Sequence, residues 1–213
     1  MSFVVGHSLA ALAAARAPAG SQGKSRDLIY SPAVSLAVIF LALAPDLDIL
    51  VWVLFHPAGM VPHRGFSHSL LIAIGLAFIF WLILSRFATR GGLVLPIALV
   101  LASLCHPALD YLMGCGPQVP FFWPFNASRF ICPVKLVPTA YYANTFKGLM
   151  HLPALMLEPK NLAGIMLEFL IFLPILIAEK FSAPGKRLVL WLPCLALTAA
   201  AILVVYLTYN QGR

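Results

Sequence analysis

Charge is what this sequence has least of. Asp, Glu, Lys and Arg make up 10% of its 213 residues, where a soluble domain carries roughly 25%. That shortfall excludes a surface kept in water. Acids are scarcest, seven in all. The four cysteines include no CxxC pair, which argues against a structural zinc knuckle. No internal repeat and no low-complexity tract interrupts the chain. The N-terminus has no basic region ahead of its apolar stretch, so no cleavable signal peptide is expected. The net charge of +7 is not gathered into a patch. Its bases sit in short clusters between apolar runs, as membrane-topology determinants do, and no nucleic-acid partner is expected.

What is there in quantity is apolar residues, 62% of the chain. They fall into runs of about 17–25 residues, the length needed to cross a bilayer. The expected fold is all-α: a polytopic transmembrane helix bundle of about five to six helices. Residues 1–213 form a single membrane-embedded domain with the lipid bilayer as its surroundings. Six segments are expected, at 3–15, 33–55 (interrupted by Pro45), 65–85, 93–113, 162–178 and 188–209. A Pro/Gly/Ser-rich linker spans 16–26, and a short interfacial helix is expected around 141–157 within the long loop 114–161. Phe121, Phe122, Trp123, Phe125, Tyr141 and Tyr142 of that loop suit an interfacial aromatic belt. Cys105 and Cys194 lie in apolar helices as small core residues. Cys115 and Cys132 could pair if the loop faces an oxidising compartment.

Six crossings place Arg16, Lys24, Arg26, Arg86, Arg90, Lys180, Lys186 and Arg187 on one side, all in short linkers. Arg64, Arg129, Lys135, Lys147, Lys160 and Arg213 fall on the other, four of them in the long loop. Short loops carry the topology signal, so the first side is expected to be cytoplasmic. Both termini then face outward.

Four acids, Asp46, Asp48, Asp110 and Glu168, fall inside the apolar spans. An ionised carboxylate there costs on the order of 3 kcal/mol even on a lenient insertion scale, and such residues default to function. His7, His68 and His106 are similarly placed, with His63 just before the third span. Counting a rise of about 1.5 Å per residue along alternating crossings puts every one of these groups in the same half of the membrane. His7 is near the start of the first span, and Asp46 and Asp48 lie past the middle of the second. His63 and His68 flank the start of the third, His106 and Asp110 lie in the far half of the fourth, and Glu168 is about two turns into the fifth. The convergence holds whichever side is the cytoplasm.

Local spacing fits a shared site. His106 and Asp110 are four apart, on one helix face. Asp46 and Asp48 would diverge on a regular helix, but Pro45 disfavours helix at Ala44, and an unwound segment could aim both inward. The stretch 63–69 packs His63, Arg64, Ser67, His68 and Ser69 at a helix start, where anions are favoured and Arg64 adds a fork for phosphate. Mixed His and carboxylate donors suit a divalent metal, zinc foremost, with manganese or iron as alternatives. More than four candidates imply two ions, or one ion with supporting partners. Each group also has a plainer reading. Asp46 and Asp48 could cap a helix, His106 and Asp110 could be a structural hydrogen-bonded pair, and Glu168 could be a lone interhelical contact. His7 could be an interfacial histidine, and His63 and Arg64 solvated loop residues. None of these explains the common depth.

At these residues the sequence resembles the YdjM-like family of bacterial inner-membrane proteins, described as predicted metal-dependent hydrolases. The resemblance covers about residues 4–133. It rests on Gly6-His7, on Leu43-Ala44-Pro45-Asp46-Leu47-Asp48, and on His63-Arg64-Gly65-Phe66-Ser67-His68-Ser69. It continues with His106-Pro107-Ala108-Leu109-Asp110-Tyr111 and a Gly116-Pro117-Gln118-Val119 loop running to Trp123-Pro124. The chain departs from the pattern in having no His after Asp48, and Gly-Cys-Gly-Pro after the Asp110 segment. The resemblance implies an inner-membrane location and hydrolysis of a phosphoester. It also suggests a distant similarity to zinc-dependent phospholipase C, whose H-x-x-x-D pair His106 and Asp110 match in spacing.

The expected function is a membrane-bound metal-dependent hydrolase, acting on a phosphoester in a phospholipid or lipid-linked substrate through a metal-activated water. The expected ligands are His7, Asp46, Asp48, His68, His106 and Asp110, with one or two ions. His63 is expected as a further ligand or general base, Arg64 as the group that binds substrate phosphate, and Ser69 and Glu168 as supporting or substrate contacts. The site should open to the non-cytoplasmic face. The alternatives are a metal or ion transporter using the same ligands, disfavoured by the lack of polar residues in the cytoplasmic half, and a structural protein whose metal only staples helices.

Overall fold

A computed structural model describes residues 4–19, 23–55, 64–87, 92–114, 116–134 and 151–181. Among them all regular structure is helical, apart from one isolated bridge between Val119 and Phe130. The helices are α1 (Val4–Arg16), α2 (Lys24–Ile29), α3 (Pro32–Leu43), α4 (Leu47–Phe55), α5 (Leu70–Ser85), α6 (Val94–Leu112), α7 (Leu152–Met156) and α8 (Pro159–Phe181). Two 3-10 turns, Ala44–Asp46 and Phe66–His68, precede α4 and α5. α6 is central, packing against α1, α3 and α5, while α1 also packs against α3 and α8. The expected sixth span at 188–209 lies outside the described residues, as do Tyr141, Tyr142 and most of the interfacial helix around them.

The bundle reads as one built for lipid. Its interior is lined by small residues, Ala11, Ala15, Ala37, Ala42, Ala77, Ala98 and Ala102, with Val34, Val38, Leu41, Leu95 and Leu99 between them. Large apolar side chains point outward instead: Leu36 is 67% exposed and Leu170 69%, with Phe78, Ile79 and Ile83 alongside. Water would penalise that arrangement. Hydrocarbon does not, and it leaves close backbone approach through small residues as the main source of helix packing. Three helical stretches, Pro32–Ile49, Val94–Leu112 and Asn161–Glu179, are long and apolar enough to cross a membrane, and Val4–Arg16 and Leu70–Ser85 are shorter apolar helices.

Local chemistry sets the ends of these elements. Ser31 caps α3 by accepting from the Val34 N–H, with Pro32 at the first helical position. The break at Pro45 is milder than expected: the chain tightens into a 3-10 turn instead of unwinding, and Ala44 keeps a helical backbone. The third span also differs. Gly65 and Ser69 are extended, and the regular helix begins at Leu70 rather than 65. The linker 16–26 carries part of an unexpected helix, α2. Cys132 is a free thiol, and Cys115 lies outside the described residues.

Candidate metal centre

α6 supplies the two groups around which the site is built. His106 and Asp110 are both fully buried on its inner face. The Ala42 carbonyl, 2.6 Å from His106 Nδ1, can only accept, so Nδ1 carries the proton and Nε2 is left with its lone pair. One turn back, the Ser103 hydroxyl donates to the Ala73 carbonyl at 2.7 Å, pinning α6 to α5 at the edge of the site.

The 3-10 turn before α5 brings His68 to face His106. The two Nε2 atoms are 3.2 Å apart. On the other side of the ring, His68 Nδ1 is 3.0 Å from Ser67 Oγ, and that hydroxyl donates to Asp48 Oδ2 at 2.9 Å. The hydroxyl proton is directed to Asp48, so Ser67 accepts from His68 Nδ1–H. This fixes the His68 tautomer and leaves its Nε2 as a second lone pair. Two lone-pair nitrogens at 3.2 Å repel unless a proton or a metal cation lies between them.

Carboxylates complete the ring of donors. Asp46 Oδ1, from the turn after α3, is 3.3 Å from His106 Nε2 and 3.6 Å from His68 Nε2. Asp110 Oδ2 is 3.3 Å from His68 Nε2 and 3.7 Å from His106 Nε2. These separations are those of ligands around a small ion: bonds of about 2.0–2.1 Å in tetrahedral array put donor atoms about 3.3–3.4 Å apart. The donors form two triads that share His106, His7–Asp46–His106 and His68–His106–Asp110, each with its ligand atoms within 4.8 Å of one another.

His7 is the clearest unsatisfied group. Its ring is fully buried, and neither nitrogen has a hydrogen-bond partner among the described residues. It stacks on His106, centroids 4.0 Å apart and planes 14° apart, with Nε2 3.9 Å from Asp110 Oδ1. A buried polar group without a partner costs about 1–3 kcal/mol, which an ion bound at Nε2 would relieve.

Arg64 has a different place from the one expected. Its guanidinium is buried and forks onto Asp110, Nε to Oδ2 at 2.9 Å and Nη2 to Oδ1 at 3.1 Å. Nη1 donates to the Pro117 carbonyl, and Nη2 also meets Met113 Sδ at 3.2 Å. To reach that position the Arg64 backbone adopts a left-handed φ of 64°, a conformation costing roughly 1–2 kcal/mol outside glycine. Arg64 therefore orients Asp110 and balances its charge. Arg129, from the loop, donates to the Arg64 and Gln118 carbonyls, each at 3.2 Å.

Of the residues expected in the site, the structure brings together His7, Asp46, His68, His106 and Asp110 as converging donors. Asp48 reaches the far side of His68 through Ser67, with Oδ2 3.5 Å from His68 Nδ1. Ser69 is fully buried at the start of α5. Its hydroxyl accepts from the Ile72 N–H as the cap of α5, and Ser67 is the hydroxyl the site uses. Glu168 lies fully buried on α8 and accepts from the Gly6 N–H at 2.8 Å, one residue from His7. His63 lies outside the described residues. Sequence reasoning also passed over Glu179, fully buried near the other end of α8. The signal for Ser67 was its position beside His68; for Glu179 it was an acid at the margin of an apolar run.

Comparison with known proteins agrees with the membrane architecture. The family described as YdjM inner membrane protein matches residues 1–211. A relative, "Inner membrane protein YbcI" of Escherichia coli (strain K12), is 31% identical over 116 residues, covering 54% of this chain and 67% of the relative. No solved structure matches.

Proposed function

We propose that this chain, which belongs to the YdjM inner membrane protein family, is a metal-dependent hydrolase of the inner membrane acting on a phosphoester of a lipid or lipid-linked substrate. The observation that carries the reading is the convergence of His68, His106, Asp46 and Asp110 from three separate segments at ligand spacing. Charge supports a divalent ion. Three carboxylates, Asp46, Asp48 and Asp110, gather around the imidazoles in a low-dielectric interior, where an opposite charge is favoured. The His and carboxylate donors favour zinc, with manganese or iron as alternatives. Because His106 Nδ1 is engaged by Ala42, its single remaining lone pair can serve one ion only, which supports reading the two triads that share it as one centre.

A bound divalent ion supplies Lewis-acid chemistry, polarising a phosphoryl oxygen and making water more acidic. The chain's own residues do the rest. Ala42, and Ser67 with Asp48, hold the two imidazoles in the tautomers that present Nε2. Arg64 holds both oxygens of Asp110. Asp46 and Asp48 are the members of the cluster that keep some exposure, 15% and 14% of their side chains, so a substrate headgroup approaches past them. Basic short linkers on the opposite side (Arg16, Lys24, Arg26, Arg86) support a site open to the non-cytoplasmic face.

A second reading, a non-catalytic metal-binding or metal-transporting protein, has Glu179 on its side. That acid is buried eleven residues beyond Glu168 on α8, about 16 Å along the helix. Turnover decides between them. Detergent-purified protein loaded with zinc or manganese should cleave phospholipid vesicles or a soluble phosphodiester, and Asp110→Asn should lose at least about a hundredfold of that rate. Bound metal with no turnover on either substrate class would overturn the hydrolase reading and leave the second.

A further inference from the structure

We propose that Glu168 is a positioning residue of this metal centre, fixing the axial register of α1 through the Gly6 N–H and thereby placing the His7 imidazole. The proposal rests on the metal-binding reading above but not on catalysis.

α1 needs such a device. Its buried residues after His7 are Ala10, Ala11, Ala13 and Ala15. Helices interlock through ridges of side chains, and a run of alanines offers only shallow ones. A slip of one residue would move His7 about 1.5 Å along the axis and swing it about 100° around it, away from Asp110 and His106. The other polar ties of α1 among the described residues are weak ones, Cys105 Sγ to the Ala10 carbonyl at 3.8 Å and Arg16 over the Tyr30 ring at 4.6 Å.

The start of α1 supplies the stronger anchor. The first backbone N–H groups of a helix have no partner within it, and that end carries the positive pole of the helix dipole. Gly6 is the third residue of α1, and its N–H points at the Glu168 carboxylate. An acid on α8 thus satisfies a donor on α1 and is itself held at the dipole's favourable end. Gly6 is fitted to the contact: a Cβ built there would collide with the Glu168 carboxyl group. Glycine lets the carboxylate reach the backbone, and the next residue is the ligand candidate. Any displacement of Gly6 passes to His7 undiminished.

The test is a double-mutant cycle read by metal binding. Co(II) is titrated into detergent-purified wild type, Glu168→Gln, Glu168→Ala, His7→Ala and the Glu168→Ala/His7→Ala pair, following both affinity and the visible Co(II) spectrum. Glu168→Ala should weaken Co(II) about 10–100-fold, the range seen when a group supporting a ligand is removed, and should take on the spectrum of His7→Ala. The double variant should bind no more weakly than His7→Ala alone, since both changes act through one imidazole. Glu168→Gln, which keeps an acceptor oxygen, should recover most of the affinity and the wild-type spectrum. A merely structural role would lower thermal stability and leave the spectrum of the folded protein unchanged. Additive losses in the double variant, or wild-type binding in Glu168→Ala and Glu168→Gln, would overturn the proposal. If His7→Ala binds Co(II) as wild type does, the proposal fails while the metal site stands; if wild type binds none, the metal reading itself fails.

Discussion

The two halves of α6 are equally buried and differently held. Leu95, Ala98, Leu99 and Ala102 in the first half pack into the apolar cluster of the bundle; Ser103, His106 and Asp110 in the second meet carbonyls, imidazoles, a carboxylate and a guanidinium. In the first half any set of small residues that lets backbones approach would serve, because hydrocarbon gives no hydrophobic drive between helices and only fit matters. In the second half each buried polar side chain has a named partner, so removing one strands another. The membrane makes that half expensive. A bundle needing only to pack would have continued the alanines to the end of the helix, and the polar half is intelligible if it binds something.

Changes in the polar half should therefore dominate. Asp110→Ala leaves Arg64 buried without its fork, a loss of about 3–5 kcal/mol for a broken buried pair, and removes a ligand. A large drop in the thermal midpoint in detergent together with loss of bound metal is expected; wild-type stability would break the comparison. Stripping metal from wild type with a chelator should lower apparent stability by about 3–4 kcal/mol where free metal had exceeded its dissociation constant 100–1,000-fold, and His106→Ala should show no such response. Asp48→Asn should keep the fold but weaken metal about 10–100-fold by loosening His68, as measured by titration. In the apolar half, Ala98→Leu should cost about 1–3 kcal/mol by overpacking with metal affinity unchanged. Smallest, Phe78→Ala on the lipid-facing surface should shift stability within about 0.5 kcal/mol.

Much of this contrast is legible in the sequence, for a definite reason. Depth in a bilayer follows from counting residues along a helix, so the meeting of His7, Asp46, His68, His106 and Asp110 at one level could be read before any coordinates. The four-residue spacing of His106 and Asp110 likewise fixes a shared face. What counting cannot give is which atom faces which. That depends on side-chain rotamers and on short irregular turns. The 3-10 turn at Phe66–His68 moves the helix start from 65 to 70, which makes Ser69 a cap and Ser67 the partner of His68. Counting likewise does not show that Arg64, with a left-handed backbone, meets Asp110. Asp48, a ligand by residue type, meets His68 at Nδ1, on the other side of the ring from His106. Glu179 was missed because an acid at the end of an apolar run looks like the start of a solvated turn.

Whether the polar half of the bundle is a site for one divalent cation can be read from the metal content of the purified protein. Elemental analysis after dialysis against zinc, in wild type and in His106→Ala, should give one ion per chain in the first and none in the second. A chain that retains no ion, or that retains the same ion when His106 is gone, would contradict a one-cation site.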